Sequence, residues 1–311
     1  MSNGGSNQPR PNKNDRREAA REKARALREE QKKRERRNKV LLQGGIIVAV
    51  VAIAALIGGL IFNSVKPAGP GPRNMASDGI VFTGTDGALT PTETPATPAG
   101  GKPTPTKQDD SGEVANIVTY IDYLCPYCGQ FEQTNRDAIK TMVEQGAATL
   151  EVHPIAILTN RSAGTQYSLR AANAAACVAD VSPENFLDFN DALFENQPAE
   201  GSTGLSNDDM KKLAEQTGVG SLSKVEKCID DMQFKSWVQD ATNRALSGPL
   251  PNTTEVESVK GTPTVLVNGK QYTGSLSEPT EFQAFVTQAA SQSFTNSTPS
   301  PSETPTPAPA Q

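Results

Sequence analysis

The chain has 311 residues, of which 36% are hydrophobic, and it contains 25 Gly and 23 Pro. This composition leaves room for one or two domains and indicates that part of the chain does not fold. Residues 1–39 hold 14 Lys/Arg against six Asp/Glu, whereas the whole chain carries a net charge of −5. The basic segment lacks interleaved aromatic residues and any known nucleic-acid-reading motif, so the sequence argues against nucleic-acid binding.

Residues 40–62 form an uncharged apolar run of 23 residues, VLLQGGIIVAVVAIAALIGGLIF. A helix of this length, at about 1.5 Å per residue, crosses a hydrocarbon core of about 30 Å. The Lys/Arg-rich segment directly before it places the N-terminus in the cytoplasm by the positive-inside rule. We therefore expect a single-pass membrane protein with an extracytoplasmic C-terminal part, anchored in the lipid bilayer by residues 40–62. A cleaved signal peptide is the alternative, but the run is longer than a typical signal sequence and no clear A-x-A site follows.

Residues 63–112 contain eight Pro with many Gly and Thr, a composition typical of a disordered extracytoplasmic stalk. One interruption, GIVFT at 79–83, is apolar and β-branched enough to predict a short strand that adds to the sheet of the next domain. Residues 294–311 repeat the Ser/Thr/Pro bias and predict a disordered tail. The intervening residues 113–293 are long enough to form one domain.

Residues 113–293 have the pattern of two α/β halves around a helical insertion. Apolar β-branched runs predict strands, and a period of about 3.6 residues predicts helices. The first half is expected to be a strand, a helix and a strand: 114–121, 126–144 and 149–157. The insertion, about 160–250, is expected to contain four helices: 165–180, 183–195, 207–216 and 224–246.

The last part of the domain has the pattern of a hairpin followed by a helix. Asn268-Gly269 is a strong signal for a two-residue hairpin turn. It separates a predicted strand at 264–267 from its partner at 271–273, and a helix at 279–290 closes the domain. The predicted order is therefore βαβ, helical insertion, ββα.

Two cysteines follow the first strand of the domain, in the motif Cys125-Pro126-Tyr127-Cys128. At i and i+3 on a helix their side chains share a face, close enough to form a disulfide. Cys125 is expected at the helix N-terminus, where unpaired N–H groups and the macrodipole favour a thiolate. Pro126 suits the first helical position because its missing N–H removes no hydrogen bond there. The motif predicts a redox-active pair. A structural disulfide and half of a zinc site are the alternatives, although no second Cys/His cluster completes four zinc ligands.

The other two cysteines, Cys177 and Cys228, lie on predicted helices of the insertion. In an oxidising extracytoplasmic compartment they are expected to form a structural disulfide, and free thiols are the alternative. His153, the only histidine of the chain, precedes Pro154 on a predicted strand. This place favours a residue at a strand end with a local hydrogen-bond partner over a catalytic histidine.

The strand before the C-P-Y-C motif, the motif itself and the later G-T-P-T-V-L-V-N-G (residues 261–269) together resemble the thioredoxin superfamily, and within it the membrane-anchored DsbA-like oxidoreductases of actinobacteria. The resemblance implies an α/β (α+β thioredoxin-like) fold with a mixed central sheet and an all-helical insertion, preceded by one transmembrane helix. It implies that Cys125 is the nucleophile and Cys128 the resolving cysteine. It also implies that Pro263 is cis and lies against the disulfide, and that Thr262 hydrogen-bonds the substrate backbone.

Four further positions bear on proton transfer to and from the cysteine pair and on the reduction potential of that pair. Asp122, three residues before the motif, matches an acid common in this branch of the family and is a candidate proton acceptor. Tyr127 stands where strongly oxidising DsbA proteins have a thiolate-stabilising His. Thr119 stands where many thioredoxin-fold enzymes have a buried Asp or Glu. We therefore expect Asp122 or Glu132 to handle the proton.

The sequence thus predicts a protein thiol-disulfide oxidoreductase, tethered to the outer face of the cell membrane, that forms disulfide bonds in exported, still unfolded proteins. The resemblance implies reoxidation by a quinone-linked membrane protein of the VKOR or DsbB type and no metal or organic cofactor. Two alternatives remain. One is a disulfide isomerase or reductase of the DsbG kind, and the other is a non-enzymatic surface-tethered scaffold with a redox-inert thioredoxin fold.

Overall fold

The structure is a computed structural model that describes these parts of the chain: residue 18, residues 21–34, residue 36 and residues 69–297. The chain divides into two compact units, Met1–Pro67 and Ala68–Gln311. In the first unit, residues 21–34 are helical and exposed. All four cysteines and the predicted α/β domain belong to the second unit.

Two predicted segments fall largely beyond the described residues. The transmembrane helix expected at 40–62 lies outside them. Of the tail expected at 294–311, residues 298–311 also lie outside them, and residues 294–297 belong to the last helix. Within the described ranges, no helix has the length and hydropathy needed to cross a bilayer.

A six-stranded mixed sheet forms the centre of the second unit. Its strands are β1 (Ile80–Thr85), β2 (Ala88–Pro91), β3 (Ala115–Ile121), β4 (Ala148–Pro154), β5 (Thr264–Val267) and β6 (Lys270–Gln271). The spatial order is β2-β1-β4-β3-β5-β6, with β3 and β4 parallel and the other neighbouring pairs antiparallel. Every residue of β3 is buried, as expected for a central strand covered on both faces.

Seven α-helices lie within residues 69–297: α1 (Pro126–Glu144), α2 (Tyr167–Val181), α3 (Phe186–Glu195), α4 (Asn207–Gln216), α5 (Leu222–Asp230), α6 (Lys235–Ser247) and α7 (Pro279–Ser297). Helices α2 to α6 form the predicted insertion between β4 and β5. The single helix predicted at 224–246 is wrong, because the chain forms a turn at residues 231–234, where Met232 has a φ of 49°. That left-handed conformation interrupts an α-helix.

The hairpin predicted at Asn268-Gly269 joins β5 to β6. Both turn residues have positive φ, 48° and 78°, as a type I′ turn requires. The second strand is shorter than predicted and ends at Gln271.

Residues 69–112 correct the prediction that residues 63–112, apart from a short strand at 79–83, form a disordered stalk. They carry β1 and β2, and β1 pairs with β4 at the edge of the core sheet. The short strand predicted at 79–83 is therefore present, as part of β1. Met75, Ile80 and Phe82 are almost fully buried. Composition alone does not predict that this segment is ordered. Its few apolar residues are separated by Pro and Gly, and they become buried only because the rest of the domain covers them.

Buried polar contacts hold the same segment on the sheet. The Glu151 carboxylate of β4 accepts hydrogen bonds from Ser77 Oγ at 2.5 Å and Thr106 Oγ1 at 2.8 Å, and it contacts His153 Nε2 at 3.1 Å. Burial alone would raise the pKa of Glu151, but His153 and the two hydroxyl groups lower it below its usual value. The His153 ring also stacks on Tyr120, with 4.4 Å between ring centroids. His153 therefore lies near the strand end, as the sequence predicts, but its Nε2 is close to Glu151 without forming a well-aligned hydrogen bond to any described residue.

The insertion is cross-linked by a disulfide between Cys177 of α2 and Cys228 of α5, whose Cα atoms are 5.8 Å apart. This is the pairing that the sequence predicts. It closes a loop across 51 residues and joins two helices that pack against each other.

A chain that begins at residue 113 is expected to lose most of its stability relative to one that begins at residue 69. Burying Met75, Ile80 and Phe82 contributes about 2 kcal/mol per side chain, and the whole domain is stable by only about 5–15 kcal/mol. Thermal unfolding followed by circular dichroism, with size-exclusion chromatography, measures the difference. Equal melting temperatures for the two chains would show that residues 69–112 do not belong to the folded domain.

Candidate active site

The two cysteines of the motif occupy the first turn of α1. Cys125 is the N-cap residue, with φ −75° and ψ 116°, and Pro126 is the first helical residue. The Cys125 carbonyl accepts hydrogen bonds from the N–H groups of Cys128 at 3.0 Å and Gly129 at 3.2 Å. Both cysteines are free thiols. The side chain of Cys125 is 5% exposed and that of Cys128 is fully buried, so only the first sulfur is within reach of a partner.

Strand pairing brings the second half of the site to Cys125. Because β5 runs antiparallel to β3 and Thr264 pairs with Tyr120, the residues just before β5 lie beside those just after β3. The Cys125 Sγ lies 3.1 Å from the Thr262 carbonyl oxygen, and the Thr262–Pro263 peptide bond is cis. The Thr262 hydroxyl is buried and has no hydrogen-bond partner among the described residues. This hydroxyl is therefore not committed to another group, and Thr262 acts on the Cys125 thiol, whose pKa it lowers.

The surroundings of Cys125 favour its thiolate. A hydrogen bond from the Cys128 thiol, followed by Thr262 and the backbone N–H groups of Cys128 and Tyr127, lowers the pKa of Cys125 to about 6, although burial acts in the opposite direction. The ordinary thiol pKa is about 8.5. Cys125 is thus mostly ionised at neutral pH and is a good leaving group.

Cys128 has the opposite character. Burial, and then the neighbouring Cys125, raise its pKa well above the usual value. The backbone N–H of Asp122 lies 3.4 Å from its sulfur. The pair is therefore polarised, with one acidic thiol that is slightly accessible and one protonated thiol that is fully buried.

Asp122 is fully buried, and its carboxylate holds together three parts of the chain. It accepts hydrogen bonds from the N–H of Leu124 at 2.9 Å, the N–H of Leu158 at 2.9 Å and the hydroxyl of Ser168 at 2.7 Å. Burial raises the pKa of Asp122, and these donors partly offset the rise. The contact between Asp122 and Cys128 runs through the backbone N–H. The predicted role of Asp122 as a proton acceptor stays a prediction, while the geometry makes it an anchor of the loop before α1.

Glu132 lies one turn after Cys128 on α1, so both project from the same helix face. Burial, and then the charge of Asp191, raise the pKa of Glu132 to about 8, against the influence of Lys140 and Arg136. Thr119, at the position where related enzymes carry an acid, lines the same cavity of about 20 Å³ as Glu132. A cavity of this size holds one water molecule. Glu132 is thus the carboxyl of the site whose pKa suits proton exchange near neutral pH.

The remaining predicted site residue, Tyr127, is 64% exposed. It lies on the surface beside Cys125, and its backbone N–H is one of the groups that lower the pKa of the Cys125 thiol. Sequence reasoning missed Ser168, which no motif marks because its contact with Asp122 spans 46 residues. Among the described residues, no group of three or more His, Cys, Asp or Glu side chains is arranged to hold a metal ion.

Comparison with known proteins agrees with this geometry. The family model described as thioredoxin matches residues 114–288. The reduced form of a disulfide bond oxidoreductase (DsbG) from Mycobacterium tuberculosis is 32% identical over 59% of this chain and 84% of its own, with a TM-score of 0.47. Reduced DsbA from the same organism is 29% identical over 71% of this chain and 100% of its own, with a TM-score of 0.50.

BdbD from Bacillus subtilis, in its oxidised form, is similar in fold, with a TM-score of 0.50 at 19% identity over 73% of this chain and 100% of its own. No curated protein matches the chain.

The family model covers more than half of the chain, so the protein belongs to the thioredoxin family. Together with the polarised cysteine pair, this defines a thioredoxin-fold oxidoreductase. Within that class it is a DsbA-like thiol-disulfide oxidoreductase.

Replacing Glu132 by Gln is expected to flatten the pH dependence of stability. The raised pKa means that the unfolded chain releases the Glu132 proton from about pH 4.5, whereas the folded protein keeps it to about pH 8. The contribution of Glu132 to stability is therefore present below pH 4.5 and is lost as the pH rises to about 8. Urea unfolding of the oxidised protein, in which the Cys125–Cys128 thiols do not titrate, measures this loss.

Glu195→Gln is the matched control, because Glu195 is half exposed and pairs with Arg136 at the surface. If Glu132→Gln and Glu195→Gln follow the wild-type pH profile equally, Glu132 is not the buried group that titrates near pH 8.

Proposed function

We propose that the protein is a membrane-tethered oxidase that forms disulfide bonds in exported, still unfolded proteins. The observation that carries the proposal is the polarised pair, in which Cys125 has a pKa of about 6 and Cys128 is buried and protonated. Stabilisation of the Cys125 thiolate stabilises the reduced enzyme. The oxidised enzyme is therefore expected to take electrons from substrate thiols.

The reaction begins when a substrate thiolate attacks the Cys125 sulfur of the Cys125–Cys128 disulfide. The bond between the two cysteines breaks, a mixed disulfide forms, and Cys128 leaves with the bonding electron pair and takes up a proton. We assign the exchange of this proton to Glu132, one helical turn away. A second substrate thiolate then attacks the substrate sulfur and releases Cys125 as its thiolate. The substrate has lost two electrons and two protons and has gained one disulfide.

The surroundings of Cys125 fit this sequence of steps. Thr262 contacts the sulfur that forms the mixed disulfide through its carbonyl oxygen. Its hydroxyl group, which has no partner among the described residues, can donate to substrate backbone. The exposed Tyr127 provides an aromatic surface next to an unfolded substrate.

A tether to the membrane follows from residues 40–62, which are uncharged and long enough to cross a bilayer, and from the Lys/Arg-rich residues before them. We place the catalytic domain on the extracytoplasmic side. The reduced enzyme then passes its two electrons to a quinone-linked membrane protein of the VKOR or DsbB type.

Protease added outside intact cells is expected to cleave the domain and to leave residues 1–39 intact.

The function is tested by the reduction potential of the Cys125–Cys128 pair, measured by equilibration in glutathione buffers. A potential near about −120 mV, typical of strong oxidants, is expected, whereas one near about −270 mV would identify a reductase. The same preparation should oxidise a reduced, unfolded secreted protein.

Three variants isolate the role of the pair in that assay. Cys125→Ser and Cys128→Ser should each abolish oxidation, because neither can form the Cys125–Cys128 disulfide. When a disulfide-containing substrate is supplied instead, the Cys125 thiolate of Cys128→Ser should attack that disulfide, release one substrate thiolate and accumulate as a mixed disulfide. The double variant Cys177→Ala and Cys228→Ala is the control, since it removes the other cysteine pair and should keep the wild-type potential. Oxidation by Cys125→Ser at the wild-type rate would contradict the proposed function.

A further inference from the structure

Gln197 joins the helical insertion directly to the backbone of the cysteine turn. Its side-chain Nε2 lies 3.1 Å from the carbonyl oxygen of Tyr123 and 2.9 Å from that of Cys125. An amide NH₂ group has two protons, so each carbonyl receives one. Gln197 lies 72 residues after Cys125, and only the fold brings the two together.

The orientation of the Gln197 amide is fixed by its partners. The reverse orientation would set Oε1 against two carbonyl oxygens, which accept hydrogen bonds and cannot donate them. Oε1 instead faces Gly129, where an added Cβ would clash with it. Glycine within a helix lowers its stability relative to alanine. A side chain larger than glycine at this position of α1 would therefore require the Gln197 amide to move.

The position of Gln197 is itself held by the end of α3. The Gln197 N–H donates to the Phe194 carbonyl at 3.2 Å. The buried Phe194 ring packs against the Tyr123 ring, with 5.1 Å between centroids. The end of α3 therefore contacts the cysteine turn twice, through an aromatic pair and through the Gln197 amide.

We propose that Gln197 is a positioning residue for thiol-disulfide exchange, whose amide holds the turn that presents Cys125 and couples the helical insertion to the redox pair. The Cys125 carbonyl also accepts from the N–H groups of Cys128 and Gly129, so three donors converge on it. Together they offset the partial negative charge of this oxygen close to the Cys125 sulfur. The inference rests on Cys125–Cys128 as the redox pair of the proposed function, and it concerns how the pair is held.

Without the Gln197 amide, the carbonyl oxygens of Tyr123 and Cys125 each lose a hydrogen bond. Their partial negative charges then act more strongly on the nearby Cys125 thiolate. The thiolate of Cys125 becomes less stable, and Cys125 becomes a poorer leaving group. The oxidised enzyme then becomes a weaker oxidant, because its reduced form has lost stabilisation.

Gln197→Met tests the proposal, since methionine keeps the length of the side chain and has no donor. The equilibrium constant for oxidation of glutathione by the full chain should fall about threefold to tenfold, the range that one hydrogen bond contributes. The pKa of Cys125, followed by thiolate absorbance, should rise. Asn196→Leu is the matched control, because the Asn196 side chain donates to the Ala192 carbonyl at the same helix end and has no contact with the cysteine turn among the described hydrogen bonds. It should leave both values unchanged.

A double-variant cycle tests the contact from its other side. Gly129→Ala should displace the amide and shift the same two values, whereas in a Gln197→Ala background the added methyl group has space and should shift them no further. Unchanged values in Gln197→Met, equal shifts in Asn196→Leu, or additive effects in the cycle would each overturn the positioning role. A wild-type enzyme that proves to be a reductant would overturn the oxidase function and would leave this test intact.

Discussion

The active site depends on the antiparallel pairing of β3 with β5. This pairing places Thr262, two residues before β5, against Cys125, which follows the end of β3 and caps α1. The two residues are 137 positions apart in the chain, so no local structure can bring them together. The helix N-terminus alone favours a thiolate. The Thr262 loop adds a second polar contact, and the Cys125 sulfur therefore lies between a helix N-terminus and the Thr262 carbonyl oxygen.

Differences in burial assign separate roles to groups that are chemically alike. Two thiols in one helical turn become an acidic nucleophile and a protonated partner because hydrogen bonds lower the pKa of Cys125, whereas burial raises the pKa of Cys128. Two buried carboxyl groups diverge in the same way. Asp122 receives three donors and ties the loops together, whereas Glu132 is dominated by burial, with a pKa of about 8. Burial raises the pKa of both carboxyl groups, and only at Asp122 do hydrogen-bond donors partly offset the rise.

The parts of the fold that the sequence predicts well are those with a local cause. The C-P-Y-C motif, the Asn268-Gly269 turn and the buried run of β3 each follow from residue types at short spacing. The prediction for residues 69–112 is wrong because it rests on average composition. A few apolar side chains among many prolines are enough to order this segment when it can pair with the edge of an existing sheet. The sequence does not predict a role for Gln197, because only the fold brings its side-chain amide to the cysteine turn. Gly129, directly after the motif, is the local residue that faces this amide. The helix break near Met232 likewise depends on packing within the insertion.

The central claim is that Cys125 and Cys128 ionise at very different pH values. Titration of the reduced protein, followed by ultraviolet absorbance of the thiolate, tests this claim most directly. One thiol should ionise with a midpoint near pH 6 and vanish in Cys125→Ser, while the other stays protonated well above pH 9. Two overlapping transitions close to the ordinary thiol value of about 8.5 would contradict the account, since neither cysteine would then be the stabilised leaving group.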